Sequence, residues 1–254
     1  MDPWAFVGWG QSLAGGPSGY TVPQGYGGVL GASNDPALGA VLARARALGA
    51  NPGIFIETPY AEQLSPQAYA QRAVNLANQY GVNMIVPDIE GAMSHGGPGS
   101  PSWVWSQQAA QAIRQMAPNL QVAMTTEHAQ DMNYGAWTGI GANIWGQSYA
   151  GDMAPFDPNE TYQHLLQAGV PADRASVVLA PGQSFQGPAG AAFSLDLMQR
   201  TGRAPTFTPG VVRPPPVMRP PTVAGGLSYS APPPPKPLPV VQPASLPGLT
   251  FRTV

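Results

Sequence analysis

Short apolar runs and amphipathic stretches take turns along the first two hundred residues. The runs GIFIET, NMIVPDIEG, LQVAMTTEH, ANIWGQSYAG and ASVVLAPGQ are compact, rich in branched residues and closed by polar residues or glycine, as buried strands are. Helical patterns fill the intervals. Asn34-Asp35-Pro36 offers a cap and an early proline before Leu38, Leu42 and Leu48 on one face. Ser65-Pro66 starts a helix bearing Tyr69, Ala73, Leu76 and Tyr80, with Gly81 as its stop. Ser100-Pro101 opens a third over SWVWSQQAAQAIRQMAP, and DPNETYQHLLQAGV reads as a fourth. WAFVGWG, GGVLGAS and AAFSLDLM supply three further strand candidates, which brings the total to eight. Strands that alternate with helices argue for a parallel sheet. Eight units in about 200 residues fit an α/β fold, a (β/α)8 TIM-like barrel. An open doubly wound sheet is the alternative, but no GxGxxG or GxxxxGK[ST] opens any helix.

Composition changes the picture at the C-terminal end. Residues 204–254 hold 15 of the 31 prolines and none of the 13 acids. Arg213, Arg219, Lys236 and Arg252 give this stretch a charge of +4, against −6 for residues 1–203. Runs such as PPPVMRPP and APPPPKPLPVVQP exclude ladders and helices, because each proline lacks an N–H and fixes φ. The reading is a barrel domain over 1–203 followed by an extended proline-rich arm over 204–254, in polyproline II and extended conformations. Val211, Val217, Leu238, Val241 and Phe251 are more apolar than a solvated linker needs, so the arm is expected to order against neighbouring subunits; a disordered tail is the alternative. A net charge of −2 argues against nucleic acid as the main partner. No apolar run is long enough for a membrane span, and the absence of cysteine excludes a disulfide scaffold. MDPWAFVGWGQS lacks the basic and apolar regions of a classical signal peptide.

Five acids fall at or near the C-terminal ends of strand candidates: Glu57, Asp88, Glu90, Glu127 and Asp196. Parallel barrels build their active sites there, where the βα loops converge. Asp35 and Asp157 read instead as helix caps, and Glu62, Glu160 and Asp173 as acids near helix starts. Arg44, Arg46, Arg72 and Arg114 fall within helices, so the acidic cluster is expected to lack cations and to have raised, separated pKa values. Asp88-Ile89-Glu90 is the sharpest element, since residues i and i+2 of a strand share a face. Two carboxyls about 5–9 Å apart are the arrangement that glycoside hydrolysis uses. The plainer alternative is an acid that merely binds loop amides. Glu57 and Glu127, with Tyr60, Trp103, Trp145, Gln147 and Tyr149 in or near the same loops, are candidate sugar contacts, the rings as stacking platforms. His95 and His128 stand near the acids, but no HxH or HExxH spacing supports a metal, and neither metal nor cofactor is expected.

VPDIEG, set after GIFIETPY and a helix of the AQRAVNLANQYGV kind, resembles the DxE motif of family 25 glycoside hydrolases, the lysozyme-type muramidases. The resemblance implies Glu90 as proton donor, Asp88 as stabiliser of a substrate-assisted or covalent intermediate, and Asp196 as a supporting acid. It departs at the first strand, where that family carries an acid and WAFVGWGQS offers Gln11 and Ser12. A lysozyme-like barrel with a basic proline-rich arm also resembles bacteriophage tail proteins. One Lys against ten Arg, with abundant Ala, Gly and Pro, fits a GC-rich genome. The expectation is a virion tail protein that binds cell-wall or surface glycan, with or without cleavage. Residues 204–254 would join other virion subunits in a homo-oligomer or larger assembly. A catalytically silent adhesive protein and a free muramidase, released without a classical signal peptide, are the alternatives.

Overall fold

A computed structural model describes residues 2–7, 20–22, 24–57, 63–127, 132–149, 156–193, 198 and 202–208. The chain divides into two units, Met1–Pro214 and Pro215–Val254, and every described residue belongs to the first. The arm beyond residue 208 therefore lies outside the described residues.

Eight parallel strands close into a barrel: β1 (Trp4–Phe6), β2 (Gly28–Ala32), β3 (Asn51–Ile56), β4 (Met84–Pro87), β5 (Gln121–Thr126), β6 (Asn143–Gln147), β7 (Ala175–Leu179) and β9 (Ala191–Ala192). The last is only two residues long, yet it pairs with both β7 and β1 and so completes the ring. Among the described residues five α-helices pack outside: α1 (Leu38–Ala47), α2 (Pro66–Tyr80), α3 (Pro101–Met116), α4 (Tyr134–Gly139) and α5 (Pro158–Gln167). This is the (β/α)8 barrel that the alternation of patterns implies.

The caps of α2, α3 and α5 work as the sequence suggests, whereas α1 starts at Leu38 with Ala37 at its N-cap and no side-chain cap bond, Asp35 Oδ1 accepting from Ala37 N–H at 2.7 Å. The side chains of Ser65, Ser100 and Asp157 accept hydrogen bonds from the amides of Ala68, Trp103 and Asn159 respectively. Gly81 ends α2 at φ 60°, a left-handed conformation that glycine adopts without strain. Two further features differ from expectation. The short helix α4, where the sequence pattern marks no helix, buries Tyr134 and Trp137. Between β7 and β9 stands β8 (Ser184–Gln186), a strand where the repeat calls for a helix, and it pairs with β10 (Thr206–Thr208). Pro181-Gly182, Gly187-Pro188 and Gly190 leave no uninterrupted helical stretch there. Phe185 of β8 fills the vacant outer layer, 2% exposed and 5.3 Å from the Tyr162 ring of α5. The first residues of the proline-rich segment, Thr206–Thr208, thus belong to the barrel unit.

Strand alternation sorts the core into two layers. Trp4, Phe6, Leu30, Ala32, Phe55, Met84, Val86, Ala123, Trp145 and Val178 fill the barrel interior. Ile54, Ile56, Ile85, Val122, Met124, Ile144, Val177 and Leu179 face outward against the helices. Closure on the short β9 depends on one glycine. A Cβ on Gly190 would stand 2.2 Å from the carbonyl oxygen of Val177 and 2.6 Å from Ser176 Oγ. The nearest atom is backbone, so no side chain can swing aside. Gly190→Ala is expected to destabilise the barrel by about 2–4 kcal/mol, lowering the melting temperature by roughly 5–15 °C, as thermal unfolding would register.

Candidate active site

The inward-facing parity of β4 runs on beyond the strand itself. Met84 and Val86 point into the barrel, and Asp88 continues the same series. Asp88 N–H donates to Ile56 O at 2.9 Å, and Ile89 N–H donates to Thr125 O at 2.9 Å, so the backbone remains paired on both sides. Ile89 is fully buried in the outer layer, as alternation requires. Glu90 keeps an extended backbone, φ −133° and ψ 177°, which returns its side chain to the face of Asp88. Gly91, at φ 58°, then turns the chain into a single 3-10 turn (Gly91–Met93). Both carboxyls thus reach the barrel mouth.

They lie side by side there, close enough that the charge of Glu90 and contact with its side chain both help to raise the Asp88 carboxyl. Thr125 Oγ1 donates to Asp88 Oδ1 at 2.7 Å, and Gln147 Nε2 donates to the same oxygen at 3.2 Å. The Gln147 amide also donates to Glu90 Oε1, bridging the two acids. Burial pushes the Asp88 carboxyl well above the usual carboxylate range, and the neighbouring charge of Glu90 adds to this; the Thr125 hydroxyl opposes it.

Glu57, at the end of β3, is 4% exposed and accepts from Ser33 Oγ at 2.7 Å. Its pKa is also raised, by burial first, against the pull of hydrogen bonds from Ser33 and nearby amides and of the Arg72 charge. Arg72 of α2 corrects the expectation that helical arginines stand apart from the acids: its guanidinium acts on Glu57. Tyr69 of α2 is fully buried in the field of Asp88 and Glu57, so burial and both charges keep its phenol neutral. Tyr149 is held neutral in the same way by burial and by Asp88 and Glu90, with its ring centroid 4.9 Å from that of Phe193.

Glu127 stands beside this group but is occupied. Its Oε1 accepts from Gly91 N–H at 2.7 Å and Ser94 Oγ at 2.8 Å, and lies 3.5 Å from His95 Nε2. Through this one oxygen it clamps the turn that follows Glu90. Trp145 is 1% exposed inside the barrel, so its ring is a packing element and offers no face to a ligand. Trp103 sits on the first turn of α3 in the wall of an outer groove. Glu57, Asp88, Glu90, Gln147 and Tyr149 are brought together; Tyr60, Asp196 and His128, with Gln11 and Ser12, lie outside the described residues. Sequence reasoning passed over Thr125, Ser33 and Tyr69. Thr125 was within reach, because it lies two residues before Glu127 and shares its face of β5.

Among the described residues no three His, Asp or Glu side chains are grouped to hold a metal ion, and no helix is long and apolar enough to cross a membrane. No protein-family model matches the chain, and no curated protein matches it in sequence. Solved structures do. A GH18 chitinase from Cycas revoluta, in complex with (GlcNAc)3, is 14% identical with a TM-score of 0.49, over 74% of this chain and 74% of that one. A GH18 chitinase from Chromobacterium violaceum is 17% identical with a TM-score of 0.48, over 78% and 80%. A provisionally named phosphonomutase from Burkholderia cenocepacia J2315 is 14% identical with a TM-score of 0.50, over 79% and 90%. The glycoside hydrolases among these three belong to family 18, not to family 25. At such identities the likeness extends to the barrel fold alone, and the chemistry has to come from the site.

Proposed function

We propose that this barrel acts on an N-acetylated glycan, with Glu90 as proton donor and Asp88 as stabiliser of a substrate-assisted intermediate. The side-by-side Asp88–Glu90 pair, bridged by the Gln147 amide, carries the reading. Two carboxyls that share one amide nitrogen do not straddle a sugar ring. Inverting enzymes need about 6.5–9.5 Å between them for a water, and covalent retaining enzymes about 5–5.5 Å. In this reading the nucleophile is the substrate's own 2-acetamido oxygen. Asp88 first passes its proton to Glu90; as Glu90 then gives it to the leaving-group oxygen, the C1–O bond breaks and the acetamido oxygen closes on C1. Asp88, ionised, offsets the positive charge on the resulting ring. Water then attacks C1, gives its proton to Glu90, and releases the sugar with its acetamido group intact. Gln147 and Thr125 hold the pair in register throughout.

Purified protein would be incubated with peptidoglycan and with an arabinogalactan, scoring bound protein and new reducing ends. Reducing ends are expected from peptidoglycan alone. Binding without reducing ends would leave the silent, adhesive alternative, and neither signal would sink the proposal.

The finer reading places this barrel in a bacteriophage tail, its arm joined to neighbouring virion subunits. Its support lies in the sequence: 15 prolines and four cations with no acid over residues 204–254. Proline-rich chain has less freedom to lose on docking, and the +4 charge suits the −6 of the remainder. Truncation after Thr208 retains the β8–β10 pair. It is expected to leave the melting temperature nearly unchanged and to abolish incorporation into particles or oligomers. Normal assembly of the truncated chain would refute the assignment.

A further inference from the structure

A groove of about 430 Å³ runs between α3 and α4, and none of the four mouth carboxylates lines it. Trp103, Gln107 and Gln111 form one wall. They are spaced i, i+4, i+8, so they make a single stripe along α3, about 5–6 Å between successive Cβ atoms. Gly135 and Gly139 of α4 form the other, with Asn133 at its head. The lining carries no ionisable side chain.

Two details mark this groove as built. The backbone of Trp103 is fixed at both ends: its N–H donates to Ser100 Oγ at 3.2 Å, and its carbonyl accepts from Asn133 Nδ2 at 3.1 Å. Asn133 Oδ1 also accepts from Ala136 N–H at 3.0 Å, which caps α4 and ties the two walls together. The half-buried Trp103 ring therefore stands on a rigid base. The second detail is the glycine pair. Glycine is a poor helix former, and two of them in a six-residue helix call for a reason. Packing supplies none. A Cβ on Gly139 would meet no atom within 4 Å, and one on Gly135 only Asn133 Oδ1 at 3.8 Å. Nor does either have a positive φ. Their effect is to leave the α4 wall low, with backbone exposed at both glycines and only Ala136 and Ile140 adding apolar side chains opposite the Trp–Gln–Gln stripe.

We infer that the α3–α4 groove is a second saccharide-binding site, taking a stretch of neutral glycan chain outside the barrel mouth. An aromatic face packs against the C–H face of a pyranose, and side-chain amides donate to and accept from its hydroxyls. The uncharged lining matches a neutral sugar and disfavours phosphate, nucleic acid or acidic peptide. The choice of glycan over other neutral ligands rests on the proposed function, whereas the groove itself does not. Such a site holds a polymer on the protein while its chain ends search the mouth, a gain in effective concentration without any new contact at the reacting bond.

The six indole N–H resonances of the protein report on the groove directly. The Glu90→Gln protein would be titrated with (GlcNAc)4, and the Trp103 signal assigned by its loss in Trp103→Phe. The Trp103 resonance is expected to shift. Gly139→Leu, which fills the groove from α4, is expected to abolish that shift while the melting temperature holds or rises. Trp103→Ala is expected to weaken retention on insoluble peptidoglycan by about tenfold. A Trp103 signal that stays put at saturating (GlcNAc)4, or that still moves in Gly139→Leu, overturns the inference. Movement of Trp103 in a protein that releases no reducing ends would keep the groove and reject the mouth chemistry, so the two readings fail separately.

Discussion

Glu90→Gln is expected to reduce the release of reducing ends by at least about 10²–10⁴-fold, the usual contribution of a positioned general acid. An amide at this position keeps the shape and still meets the Gln147 bridge, but it has no proton of suitable acidity to give. Glycan binding should be nearly unaffected, because the substitution removes no packing and leaves Tyr149, Phe193 and the outer groove in place. The expected pattern is thus a collapse of kcat with KM almost constant, the signature of an interaction made only in the transition state. Turnover that survives Glu90→Gln would remove this residue from the mechanism.

Asp88→Asn is expected to do two opposite things: to abolish turnover and to stabilise the fold. The loss of turnover follows because an amide cannot ionise to face a positive intermediate. The gain in stability follows from the raised pKa of Asp88. Below the ordinary value of 3.8 the carboxyl is protonated in both folded and unfolded chains, and it contributes nothing. Above that value the unfolded chain releases the proton while the folded chain keeps it. Stability of the wild-type protein therefore falls as pH rises through the interval between the two pKa values, by about 1.4 kcal/mol per pH unit at most. Asparagine has no proton to lose, so the substituted protein escapes this fall. Its Oδ1 can still accept from Thr125 and Gln147. The two proteins should melt together near pH 3 and separate as pH rises, by roughly 2–4 °C for each kcal/mol. Glu57 has the same sign of shift and steepens the slope in both proteins alike. A gap that is constant with pH, or that opens toward acid, would show that Asp88 is not the strained carboxyl described above.

The remaining acids show how far a one-dimensional pattern reaches. Glu57, Asp88, Glu90 and Glu127 all stand at the ends of barrel strands, as their places in the sequence imply. Their roles diverge nonetheless. Glu127 accepts through Oε1 from the amide of Gly91 and the hydroxyl of Ser94, and that could not be seen before the turn was folded. The aromatic candidates divide for the same reason. Trp145 and Tyr149 are both on or next to β6 and lie four residues apart on one face, yet depth in the barrel separates them. Trp145 is sealed in the interior, whereas Tyr149 reaches the mouth beside Asp88 and Glu90.

The parallel closed barrel, the caps of α2, α3 and α5 and the shared face of Asp88 and Glu90 were determined by the sequence alone. Each depends on period, on proline and glycine positions, or on i, i+2 alternation, which are properties of neighbours along the chain. Tertiary structure alone decided the contacts between strands and helices remote in sequence. Thr125 and Gln147 reach Asp88 across separations of 37 and 59 residues, and Ser33 reaches Glu57 across 24. Those contacts hold the acids in place, while the burial that the closed barrel imposes, with the charge of Glu90, raises the Asp88 carboxyl against the pull of the Thr125 hydroxyl. The same holds for β8, which occupies a helix position because Thr206–Thr208 returns to pair with it. Local pattern sets which face a side chain takes; its protonation and its partners are set by what the fold packs against it.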